Sequence, residues 1–157
     1  MWAHRRAQGK GRFWQAAGLA AQAVLTLVAF VVVLARSRDR GSVRCLVGVS
    51  IFVPSFSLWL WARCTLATRG CFAVGAQVPP ELVTTGLYAR FRHPVYIFSS
   101  LFAAGLTLVS GNYYALAAVI LVAVPVQLFR ARAEDRVLAL RFRGHWTQWA
   151  QSEDVWL

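Results

Sequence analysis

From Phe13 to Ala35 the chain runs for 23 residues without a charged side chain, long enough to cross a hydrocarbon core that takes about 20 apolar residues. The basic run Arg5, Arg6, Lys10 and Arg12 precedes it, as in a secretory signal, but a signal core has only about 7 to 15 apolar residues. The stretch is therefore expected to stay as a first helix. Of the 157 residues 58% are hydrophobic and 15% charged, where a soluble domain carries about 25% charged residues. A chain this small has too little interior to hide that apolar surface, so the bilayer is its expected solvent.

Three more apolar runs follow, and the four predicted spans are 13–35, 45–62, 95–109 and 114–129. Pro54 interrupts only the second, where neighbouring helices can satisfy the freed carbonyl. Trp59 and Trp61 at its end suit an interfacial aromatic belt. Residues 63–94, punctuated by Gly70, Gly75, Pro79-Pro80 and Gly86, read as a connection outside the hydrocarbon. Ser110-Gly111-Asn112-Tyr113 is too short to join the last two runs except as an antiparallel hairpin. Beyond Phe129 the recurrence of Phe129, Ala133, Val137 and Leu140 predicts an amphipathic helix to about Arg143. Gly144 is the expected stop, and His145, Trp146 and Trp149 an interfacial tail. The fold class expected is all-α: one polytopic membrane domain over 1–157, with about four spans, a C-terminal hairpin and a cytoplasmic amphipathic helix.

The net charge of +11 would suggest nucleic acid in a soluble protein, but here the basic residues cluster at the ends of the apolar runs. Thirteen lie on the side shared by both termini and the 63–94 connection; only Arg36, Arg38, Arg40 and Arg44 lie opposite. By the positive-inside rule both termini are cytoplasmic. Arg outnumbers Lys sixteen to one, a bias of GC-rich genomes, and the expected setting is a bacterial inner membrane. Cys45, Cys64 and Cys71 have neither metal-ligand spacing nor an even count, so no metal site is expected and the three read as small buried residues.

The hairpin brings the start of its first helix beside the end of its second. Arg90, Arg92, His93, Pro94 and Tyr96 therefore meet Gln127, Arg130, Arg132, Glu134 and Asp135 at one rim. Gln127, Arg130 and Glu134 share a face at helical spacing, and so do Tyr96, Ser100, Ala103 and Thr107. Pro94 suits the first position of a helix, whose N-terminus beside Arg92 and His93 can hold a carboxylate or phosphate. Blander readings stand beside these. His93 reads equally as a satisfied interface histidine, Glu134 as a partner of Arg130, and Ser100, Ala103 and Thr107 as helix-to-helix contacts.

The run Gly86-Leu87-Tyr88-Ala89-Arg90-Phe91-Arg92-His93-Pro94-Val95-Tyr96, followed by a hydrophobic hairpin and Glu134-Asp135, resembles the isoprenylcysteine carboxyl methyltransferase family and its phospholipid methyltransferase relatives. Those proteins carry an Arg-His-Pro-x-Tyr motif and a pair of acids after a helical hairpin. The resemblance covers residues 82–150. Asp135 stands where the second Glu is usual, and Phe142-Arg143-Gly144-His145-Trp146 departs from a Phe-Gly-x-x-Tyr pattern.

The resemblance implies S-adenosylmethionine as methyl donor and a lipophilic acceptor entering from the bilayer. Arg92, His93, Pro94, Tyr96, Glu134 and Asp135 would hold the cofactor, with Arg130 and Glu134 at the reaction. The rim offers acids for an ammonium and Arg92 or His93 for a carboxylate. A carboxylate or thiolate acceptor would need Arg130 or Arg90 to position it; an amine would need Glu134 or His93 as base. Membrane lipids are the other expected partners, and the oligomeric state is open. The rival classes are a nicotinamide-dependent membrane reductase of related fold and a non-catalytic membrane scaffold.

Overall fold

Ser42 opens one helix by accepting a hydrogen bond from the Cys45 amide, and Gly111 and Asn112 close and open the next two. The computed structural model describes residues 2–37, 41–69 and 82–151. Four helices follow one another: α1 (Trp2–Arg36), α2 (Val43–Thr68), α3 (Pro94–Ser110) and α4 (Tyr113–Ala150). A 3-10 turn at Gly86–Ala89 leads into α3, and there is no strand among the described residues. The stretch 70–81, including Cys71 and the middle of the predicted connection, lies outside the described residues.

The protein is an all-α polytopic membrane protein. Ala16–Arg36, Val43–Thr68 and Tyr113–Ala150 are each long and apolar enough to span; Pro94–Ser110, with 17 residues, is shorter. At 1.5 Å per residue α3 is about 26 Å long, so the bilayer must thin slightly to meet it. Helix α2 continues six residues past the predicted end at Ala62, into the segment expected to be a connection.

The α3–α4 turn forms as its residues dictate. Gly111 takes a left-handed φ of 71°, and the Asn112 amide reaches back to the Thr107 carbonyl while its side chain accepts from the Ala115 amide at 3.0 Å. Inside α4, Pro125 has no N–H and crowds the carbonyl four residues back. A π turn at Val119–Ala123 takes up the misfit, and the Val124 amide bonds Val119 instead.

The sequence reading ends the amphipathic helix at about Arg143 with Gly144 as its stop, and the backbone does leave helical geometry there; the tail expected beyond it is instead a further helical segment that runs to Ala150. The break falls at Arg143 (φ 42°, ψ −120°), one residue before Gly144, and joins two helical segments at a kink. Helical bonding resumes beyond it, with the Gln151 amide on the Thr147 carbonyl. Trp146 and Trp149 are accordingly half-buried, their indole nitrogens shut off from solvent, rather than laid out as a tail.

The core is where α2 crosses α3. A Cβ on Gly105 would stand 2.8 Å from the Gly48 carbonyl oxygen and the Phe52 amide, so the two backbones touch. Phe30 of α1 stacks on Phe52 at 3.9 Å between centroids, and Phe102 of α3 meets Phe52, Phe56 and Trp59 edge-on. Trp59, expected in an interfacial belt, belongs to this core; Trp61 is exposed. Of the cysteines, Cys45 is buried as expected and Cys64 is exposed.

Gly105→Ala forces apart backbones already in contact, and should cost on the order of 1–3 kcal/mol, read as a lowered melting temperature of the detergent-purified protein. Gly18→Ala, which meets nothing within 4 Å, should not lower it. Equal melting of Gly105→Ala and wild type would contradict the close crossing.

Candidate active site at the helix rim

His93 is the N-cap of α3, yet its side chain makes no capping bond. It turns instead to α4, where its Nε2 lies 2.8 Å from Asp135 Oδ1 and its Nδ1 3.7 Å from Glu134 Oε2. Pro94, at the first helical position, sets this exit angle and is itself buried. One turn on, the Tyr96 hydroxyl donates to Glu134 Oε1 at 2.8 Å. A turn further, Gln127 Nε2 donates to the hydroxyls of Ser99 and Ser100, each at 3.0 Å. The predicted faces thus meet, with Ser99 as an added member. Thr107 bonds its own helix at the Ala104 carbonyl.

The charges are unevenly shielded. The His93 side chain keeps only 11% of its surface, and burial alone would push its pKa down. The hydrogen bonds and negative charges of Asp135 and Glu134 outweigh that and raise it from 6.5 to about 9. His93 is therefore an imidazolium at neutral pH, donating toward both acids. Glu134, whose blander reading paired it with Arg130 along the helix, forms its ion pair with His93 across to α3. Arg130 is exposed, and its charge acts on the Tyr96 hydroxyl.

Arg92 makes a different contact: its Nη2 donates to the carbonyl of Ala150 at the end of α4. Its Nε is buried with no hydrogen-bond partner among the described residues. Arg90 is exposed on the approach to the rim. One residue escaped the sequence reading: Arg63 of α2 stands 6.0 Å from the Trp59 ring centre, and its charge also reaches Tyr96. Only the long-range packing of α2 against α3 could have shown it, because nothing near Arg63 in sequence marks it.

The rim therefore gathers two acids, an imidazolium, a tyrosine hydroxyl and three arginines at one end of a helical membrane bundle. This is the architecture of an integral membrane protein that gathers its polar groups at one end of its helices. The phospholipid methyltransferase family matches residues 43–144, well over half of the chain, and the chain belongs to that family. The match takes in α2, α3, both rim acids and α4 as far as the bend. No curated protein matches the chain, and no solved structure does.

His93 gives the rim a pH signature. A folded pKa raised above the unfolded value stabilises the protein fully below about pH 6.5, and that contribution is lost as pH rises through about 9. Melting of the detergent-purified protein should fall across that window, and His93→Gln should flatten the fall. Parallel profiles for the two proteins would place the titration elsewhere.

Proposed function

We propose that the protein transfers a methyl group from S-adenosylmethionine to a lipophilic acceptor dissolved in the membrane, at the rim between α3 and α4. The observation that carries this reading is the cluster of His93, Tyr96, Glu134 and Asp135, within hydrogen-bonding or ion-pairing reach of one another inside the family match. The donor set suits the cofactor's charges. Glu134 and Asp135 suit its ammonium and sugar hydroxyls, and Arg92, whose buried Nε has no partner among the described residues, suits its carboxylate. When bound, S-adenosylmethionine supplies an electrophilic methyl group on a cationic sulfur.

The chain's own residues then orient and shield. Pro94 and His93 fix the start of α3 against the acids, and Tyr96 holds Glu134 in one rotamer. For an anionic acceptor, as in the carboxyl methyltransferases the sequence resembles, Arg130 is the exposed cation placed to position it. For an amine acceptor the base falls to Glu134, because His93 already holds its proton at neutral pH. In this reading the cofactor region is 82–150, both termini face the cytoplasm, and the setting is a bacterial inner membrane.

Labelled S-adenosylmethionine should bind the full-length purified protein saturably, and Glu134→Gln and Asp135→Asn should each weaken binding roughly tenfold or more, about 1.4 kcal/mol per decade. A nicotinamide cofactor should not compete. Wild-type affinity in both variants would remove these acids from the site, and displacement by the nicotinamide would favour a reductase.

A further inference from the structure

A groove of about 580 Å³ runs between α1 and α2, away from the rim cluster. Leu27 and Phe30 of α1 and Val53, Ser57, Trp61 and Cys64 of α2 are among its walls. Its one hydroxyl is already satisfied, since Ser57 donates to the Val53 carbonyl on its own helix at 2.9 Å. What remains is a dry apolar trough at membrane depth. We propose that this groove seats one aliphatic chain of the methyl acceptor, drawn from the leaflet on the rim side; the acceptor's identity as such rests on the function proposed above.

Two dimensions select that occupant. Val53 to Cys64 covers about 17 Å of helix at 1.5 Å per residue, a little over half of a hydrocarbon core about 30 Å thick. The groove therefore reaches from near the midplane to the edge of one leaflet, as a lipid chain does. With a methylene similar in size to a water, whose share of liquid volume is about 30 Å³, the space takes roughly 19 chain carbons, enough for one long chain and too little for two. A second chain of the same lipid would stay in the bilayer.

The mouth of the groove connects to the reaction site. Trp61 and Cys64 line its end nearest the rim. A Cβ on Gly86 would stand 4.0 Å from the Trp61 ring, so the turn that delivers Arg92 and His93 abuts the mouth. A chain lying in the groove with its polar end at Trp61 thus presents that end beside the turn that leads to Arg92 and His93. The exposed apolar residues elsewhere on α1 and on α4, such as Val31 and Leu121, would gather boundary lipid without selecting it.

The test uses the full-length protein in detergent and a hexadecyl amphiphile bearing a photoactivatable diazirine, with the unlabelled amphiphile as competitor. Labelling should saturate and map to the peptides containing Leu27–Phe30 and Val53–Cys64. It should fall roughly fivefold or more in Ser57→Phe and in Val53→Phe, which fill the space, and hold in Ser57→Ala. Label spread without saturation along α1 and α4, or equal labelling of the filled variants, would overturn the groove. Binding of labelled S-adenosylmethionine, read on the same samples, should be unchanged in the filled variants and shows that they fold. Saturable groove labelling in a wild-type protein that binds no cofactor would refute the methyl-transfer reading and leave the chain site standing. Cofactor binding without saturable labelling would refute the chain site alone.

Discussion

Inside a bilayer α4 gains nothing from the hydrophobic effect by staying against α3, because lipid tails receive its apolar side chains as well as protein does. Leu121, Val122 and Phe129 indeed point outward. Polar contacts hold it: Gln127 to Ser99 and Ser100, Glu134 to Tyr96, and Asp135 to His93. Each such bond is worth on the order of 0.6 kcal/mol in a membrane protein, so the attachment depends on their acting together. Helices α1, α2 and α3 associate differently, through the Gly48–Gly105 contact and the stacked rings around Phe52.

The seam that attaches α4 is also the candidate site, which ties stability to chemistry. One imidazolium faces two carboxylates, leaving a residual negative charge among arginines at the edge of an apolar bundle. An unbalanced charge with restricted access to water is costly, and the surrounding Arg63 and Arg130 offset part of it. On the proposed function, the ammonium of the cofactor would pair with these two acids. Tyr96 and His93 would then hold the acids ready in the absence of ligand, so that little side-chain ordering is left for binding.

Much of this was legible in the chain. The hairpin followed from Ser110-Gly111-Asn112-Tyr113, because a left-handed glycine and an asparagine cap are local requirements that local sequence meets. The convergence of His93 and Tyr96 with the acids followed from the hairpin alone. What the chain hid depended on distant partners. Trp59 reads as a belt residue until Phe102 is known to lie against it, and Arg63 is an ordinary helix-end cation until α3 brings Tyr96 near. The protonation of His93 needs both acids at once, and spacing alone cannot weigh burial against two carboxylates.

The expected stop at Gly144 is instructive, because the break is present at Arg143 while the tail expected beyond it is a helix. Adjacent residues, about 3.8 Å apart along the chain, hold α4 at two places: His93 at Asp135 and Arg92 at Ala150. A straight helix would keep those two places about 22 Å apart. The bend at Arg143 brings them within reach of neighbouring side chains. A non-glycine residue at φ 42° costs on the order of 1–3 kcal/mol and persists only where the surroundings enforce it. The two tethers are that enforcement. The glycine marks a fold-back toward the rim, and the half-buried Trp146 and Trp149 belong to that returning segment.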